Sequence, residues 1–116
     1  MAKHAVLVVE DDDGTQSLLR AMLRRHDASV EVAADGQAAI ERLRSAEFDT
    51  VILDLMLPKM NGFEVAGAIR TLPRQPKLIV LSALARYFGD RFPEGTVMLQ
   101  KPFEIDQLDA ALLSSS

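Results

Sequence analysis

Four short apolar runs in this 116-residue chain each end in a side chain able to do polar chemistry. Ala5-Val6-Leu7-Val8-Val9 runs into Glu10 and Asp11, Val51-Ile52-Leu53 into Asp54, Leu78-Ile79-Val80-Leu81 into Ser82, and Val97-Met98-Leu99-Gln100 into Lys101-Pro102. If the runs are parallel strands, these polar groups meet outside the carboxyl ends of the strands, where open α/β sheets bind ligands. Carboxylates gathered there repel one another. At about 4 Å and an effective dielectric near 20, each pair costs roughly 4 kcal/mol, so three acids need a cation. Carboxylates with a backbone carbonyl and water are hard oxygen donors suited to Mg²⁺. Glu10, Asp11 and Asp54 would supply side chains, and Met56 could offer its carbonyl. Two histidines and no cysteine argue against zinc.

Singly, each of these residues has an ordinary explanation, since an acid after a strand often caps the next helix and a lysine is usually a solvated charge. The combination carries the information, and it depends on the elements that would position it. Strands are expected at about Ala5 to Glu10, Ser29 to Ala33, Thr50 to Asp54, Lys77 to Ser82 and Thr96 to Gln100, each apolar throughout and so buried on both faces. Between them lie segments of helical spacing. Gly14 to Arg25 carries Leu18, Leu19, Met22 and Leu23, with Asp13 or Thr15 available as cap and Asp12 and Asp13 either capping or facing solvent. Gly36 to Ser45 carries Ala39, Ile40 and Leu43, and about Gly62 to Arg70 carries Phe63, Ala66 and Ile69 before Pro73 and Pro76. A last helix holds Ile105, Leu108 and Leu112. Between Ser82 and Thr96, Ala83 to Phe88 could form a short helix, but Gly89, Pro93 and Gly95 interrupt anything longer. Alternating β and α segments imply a parallel sheet covered on both faces.

Length and composition predict one domain over residues 1–116, 48% hydrophobic and 26% charged, with no membrane span. A net charge of −4 and 5% aromatic content argue against direct nucleic-acid binding, which needs cationic or stacking surfaces. The lack of cysteine excludes disulfides and thiolate chemistry and suits a reducing compartment. The apolar run Ala5 to Val9 is too short for a signal-peptide core, so a cytoplasmic location is expected. His4 and His26 are expected to be exposed bystanders, and Met56, Met60 and Met98 to be packing or loop residues.

In chain order, Val8-Val9-Glu10-Asp11-Asp12, then Val51-Ile52-Leu53-Asp54-Leu55-Met56-Leu57-Pro58 with Asn61-Gly62, then Leu81-Ser82-Ala83 and Lys101-Pro102-Phe103, form a specific constellation. With these blocks the chain resembles, over nearly its whole length, the receiver domain of two-component response regulators. The resemblance implies a flavodoxin-like, doubly wound sheet of five parallel strands in order 2-1-3-4-5. It makes Asp54 the phosphoacceptor, Asp11 the principal Mg²⁺-binding acid, Glu10 a second one acting directly or through water, and Ser82 and Lys101 the groups that meet the phosphoryl oxygens. The implied partners are a sensor histidine kinase or histidine phosphotransfer protein and an unknown output protein or domain. The Lys101–Pro102 bond is implied to be cis.

Some positions depart from that pattern. Met98 stands where receivers commonly carry an aromatic switch residue, so coupling from Ser82 to the distal face would be weaker or pass through Met98, Tyr87 or Phe88. The interval from Ser82 to Lys101 is short, so the fourth helix of the pattern should be short or irregular. Met56 and Leu84, each two residues beyond Asp54 and Ser82, are apolar and unable to orient an attacking water, so slow autodephosphorylation is expected. Three other functions compete with this one. An aspartate-dependent phosphohydrolase wants a second aspartate where Met56 stands. A nucleotide- or flavin-binding domain wants a glycine-rich loop where Glu10-Asp11-Asp12-Asp13 stands. A degenerate receiver acting without phosphate would not need the complete side-chain set.

Overall fold

Alternation of β-branched runs with helical segments produces β1 (His4–Val9), α1 (Asp13–Arg24), β2 (Ala28–Ala33), α2 (Gly36–Ser45), β3 (Thr50–Asp54), α3 (Gly62–Arg70), β4 (Lys77–Ser82), β5 (Val97–Gln100) and α4 (Ile105–Leu113). The structure is a computed structural model that describes residues 4–55, 62–83, 92 and 95–113. All strand pairs are parallel, and the sheet order is β2-β1-β3-β4-β5, the flavodoxin-like order expected. The short or irregular helix expected after Ser82 falls on residues 84–91, outside those described. Met56, Tyr87, Phe88 and Leu84 also lie outside them.

Period-two alternation along the central strands feeds two hydrophobic cores, one on each face of the sheet. Leu7, Val9, Val51, Leu53, Leu78 and Val80 pack with Ala39 and Leu43 of α2 and Val65, Ala66 and Ile69 of α3. Val6, Val8, Ile52, Ile79, Leu81 and Leu99 pack with Leu19, Met22 and Leu23 of α1 and Leu108 and Ala111 of α4. β3 is buried at every position, as its unbroken apolar run requires.

The edges of the sheet correct the expectation of full burial. β2 has a neighbour on one side only, and Ser29 and Glu31 are exposed. Arg42 of α2 reaches across to Glu31 with two hydrogen bonds, of 3.1 and 2.9 Å. On the other edge, β5 begins at Val97 and leaves Gln100 exposed. Leu18 and Ile105, expected in the core, are exposed. The cap of α1 is Asp12, with Thr15 donating to it. The histidines are also engaged: His4 Nε2 lies 2.7 Å from Thr50 Oγ1, and His26 Nε2 lies 2.8 Å from Asp109 Oδ1, linking the end of α1 to α4.

The chain returns close to the end of β3 at Gly62, the first residue of α3. Its N–H donates to the Leu55 carbonyl. A Cβ there would lie 2.5 Å from Leu55 Cα and 2.8 Å from the Asp54 carbonyl oxygen, so backbone packs on backbone beside Asp54. Gly67, in the same helix, meets nothing within 4 Å. Gly67→Ala should therefore stabilise the domain by about 0.5–1 kcal/mol through helix propensity. Gly62→Ala should destabilise it by roughly 1–3 kcal/mol through overpacking. Urea denaturation measures both, and equal shifts of the same sign would contradict the close approach.

Candidate functional site

Strand register brings the polar ends together. Val9 pairs with Leu53, Asp54 with Leu81, and Ser82 with Gln100, so Glu10, Asp54, Ser82 and Lys101 all fall at one edge. Backbone bonds extend the ladder past the strands: Glu10 N–H donates to the Ala33 carbonyl at 3.0 Å, and Lys101 N–H to the Ser82 carbonyl at 2.9 Å. The Lys101–Pro102 peptide is cis, as the resemblance implies.

Glu10, Asp11 and Asp54 each offer a carboxylate oxygen, and these oxygens all lie within 4.8 Å of one another. Lys101 Nζ lies 3.2 Å from Asp54 Oδ2 and 3.4 Å from Glu10 Oε1. Glu10, Asp54 and Ser82 are buried, whereas Asp11 is exposed. The other Glu10 oxygen, Oε2, accepts from the backbone N–H groups of Asp11 and Asp12 at 3.0 and 3.2 Å. Glu10 therefore turns one oxygen toward the loop and the other toward the charged cluster.

Electrostatics follow from this crowding. Burial pushes the Glu10 carboxyl up to about 7; the Asp54 charge and a hydrogen bond to Asp54 push the same way, against the Asp12 N–H and Lys101. For Lys101, burial opposes the ammonium, but Asp54 and Glu10 outweigh it and hold its pKa above the usual lysine value. Among the described residues, the three carboxylates when all ionised, beside one ammonium, leave two net negative charges, which one divalent cation would balance. The all-oxygen donor set is also the kind a hard cation takes, so Glu10, Asp11 and Asp54 fit Mg²⁺. The Met56 carbonyl, the expected fourth donor, lies outside the described residues.

The response regulator receiver domain family model matches residues 6–113. The chain belongs to the response regulator receiver domain family. Among curated relatives, this receiver domain is 31% identical over 114 residues to the response regulator ArlR of Staphylococcus haemolyticus, covering 92% of this chain and 50% of that protein. It is 34% identical over 115 residues to the transcriptional regulatory protein TcrA of Mycobacterium tuberculosis, covering 96% and 45%. The chain thus spans about half the length of these curated relatives. Among solved structures, it is similar to the receiver domain of the sensor histidine kinase PA1611 from Pseudomonas aeruginosa PAO1, with a TM-score of 0.85, 29% identity, and 96% and 95% of the two chains covered. That protein has a magnesium ion coordinated in its active site cleft. It is also similar to the response regulator TrrA of Thermotoga maritima in complex with Mg²⁺-BeF, with a TM-score of 0.82, 30% identity and 96% of each chain covered.

Motif reading of this receiver domain selected Glu10, Asp11, Asp54, Ser82 and Lys101, and the fold brings all five to the same edge. It did not select Gln16, whose side-chain amide donates to the Glu10 carbonyl at 2.6 Å. Nothing in the helical pattern marks a lone glutamine in a first turn as facing back toward the preceding strand.

The Glu10 carboxyl has a pH signature in the metal-free protein. It holds its proton to about 7 when folded, against an ordinary 4.5, so the folded state binds more proton in between. Stability therefore falls as pH rises from about 4.5 to about 7. Asp12 and Asp49, whose pKa values are lowered, act below that window. In EDTA, the urea midpoint should drop between pH 5 and pH 8 in the wild type and stay nearly level in Glu10→Gln. Parallel profiles for the two proteins would contradict the assignment.

Proposed function

We propose that this receiver domain is a phosphorylation-activated switch and that Asp54 accepts the phosphoryl group from a sensor histidine kinase or histidine phosphotransfer protein. The observation that supports this most strongly is the 3.2 Å approach of Lys101 Nζ to Asp54 Oδ2 inside a carboxylate cluster able to hold a divalent cation. An Asp54 oxygen attacks phosphorus, forming an O–P bond while the P–N bond to the donor histidine breaks and the leaving nitrogen keeps the electron pair. Phosphoryl transfer is mainly positioning and charge neutralisation. Mg²⁺ held by Glu10, Asp11 and Asp54, with the Met56 carbonyl as a further donor, would neutralise charge on the phosphoryl oxygens.

Lys101, whose pKa despite burial is held above the usual lysine value by Asp54 and Glu10, then exchanges its carboxylate partner for a phosphoryl oxygen. Ser82, buried at the end of β4, donates its hydroxyl to another phosphoryl oxygen and draws in the residues that follow. A local charge event thereby biases a face read by an output protein or domain. Residues 1–116 act as one cytoplasmic domain without catalytic turnover on other molecules, and Met56 and Leu84 keep loss of the phosphoryl group slow.

Acetyl phosphate with Mg²⁺ should load one phosphoryl group per chain, read by intact mass, and Asp54→Asn should abolish the signal. A signal that persisted in Asp54→Asn would remove Asp54 as acceptor. Continuous turnover of a phosphomonoester would instead favour the phosphohydrolase.

A further inference from the structure

The peptide group joining Glu10 to Asp11 is held at both of its polar atoms. Its carbonyl, on Glu10, accepts from Gln16 Nε2 at 2.6 Å. Its N–H, on Asp11, donates to the Glu10 carboxylate at 3.0 Å. A peptide plane bonded on both sides cannot rotate without breaking both bonds, and with the plane fixed the φ angle of Asp11 alone sets how its side chain leaves the loop. Asp11 needs such fixing. Its carboxylate is exposed, and among the described residues no side chain holds it in place.

The surrounding loop is tied down in the same way. The Asp12 N–H shares the Glu10 oxygen at 3.2 Å. The Asp12 carboxylate accepts from the Thr15 N–H and hydroxyl, both at 2.8 Å. Gln16 uses its backbone N–H for the first helical bond, to the Asp12 carbonyl at 2.9 Å, and its side chain to reach back over that turn. The Glu10 carbonyl lies beyond the end of β1, where the ladder supplies no donor, so a side chain must satisfy it if water does not.

We infer that Gln16 is a positioning residue for the cation site, holding the Glu10–Asp11 peptide so that both carboxylates face Asp54. This rests on reading Glu10, Asp11 and Asp54 as the Mg²⁺ site. Glutamine suits this role because its amide supplies an N–H donor and brings no positive charge to compete with the cation. Groups that orient metal ligands from behind typically change affinity by about tenfold or more when removed.

Mg²⁺ titration of the whole chain by calorimetry tests the assignment. Gln16→Met keeps the length and removes the donor, while Gln16→Asn keeps the donor and shortens its reach. Both should raise the Mg²⁺ Kd about tenfold or more. Their urea midpoints in EDTA should stay close to wild type, and phosphoryl loading from acetyl phosphate should regain the wild-type rate at saturating Mg²⁺. An unchanged Kd overturns the assignment, as does a loading rate that stays low at saturating Mg²⁺. Asp11→Asn, run alongside, separates the two levels. If it loses Mg²⁺ affinity while Gln16→Met does not, only the role of Gln16 fails. If it binds Mg²⁺ like wild type, the cation site itself is misread and the role of Gln16 falls with it.

Discussion

Among the described residues, three carboxylates and one ammonium share the carboxyl end of this sheet, and the imbalance between them sets its electrostatics. Lys101 bridges Asp54 and Glu10 at 3.2 and 3.4 Å, which offsets part of the repulsion among Glu10, Asp11 and Asp54. The remainder is visible in Glu10, where burial and the Asp54 charge favour the protonated form. Such a cluster is poised to exchange partners. A divalent cation would relieve the carboxylates, and the phosphoryl group proposed for Asp54 would give the ammonium a new anion.

The fold sustains this crowding because the groups sit on elements that cannot easily separate. β1, β3 and β4 are the central strands, with apolar cores on both faces. Glu10 and Asp54 extend from strands paired directly, and Ser82 from the next. Moving the charges apart would break backbone ladders and expose core leucines and valines, a far larger cost than the repulsion. Lys101 differs, since it follows β5 at the sheet edge and carries a long, partly exposed side chain. Among the described residues, the cation of the cluster thus follows an edge strand, which suits the proposed exchange of partners.

Much of this was legible in the sequence because it is written in local pattern. Continuous apolar runs marked β1, β3 and β4, and the polar residue ending each run marked the site. The sheet order came from family resemblance, since periodicity carries no information about which strands are neighbours. What failed depended on tertiary position. The alternation of β2 reflects its place at the sheet edge, and Ser29 and Glu31 declare themselves only once that place is known. His4 and His26 gain partners 46 and 83 residues away, beyond any local window. Leu18 has the right spacing for the core but lies outside it, because α1 turns only one stripe inward.

Exchange of the Lys101 partner is the central claim, and a crystal structure of the chain with Mg²⁺ and beryllofluoride tests it most directly. Beryllium should be bonded to an Asp54 carboxylate oxygen, with Lys101 Nζ moved from Glu10 to a fluorine and the Ser82 hydroxyl within hydrogen-bonding reach of another. Beryllofluoride bound elsewhere, or Lys101 still bridging Glu10 and Asp54 with Asp54 modified, would contradict it.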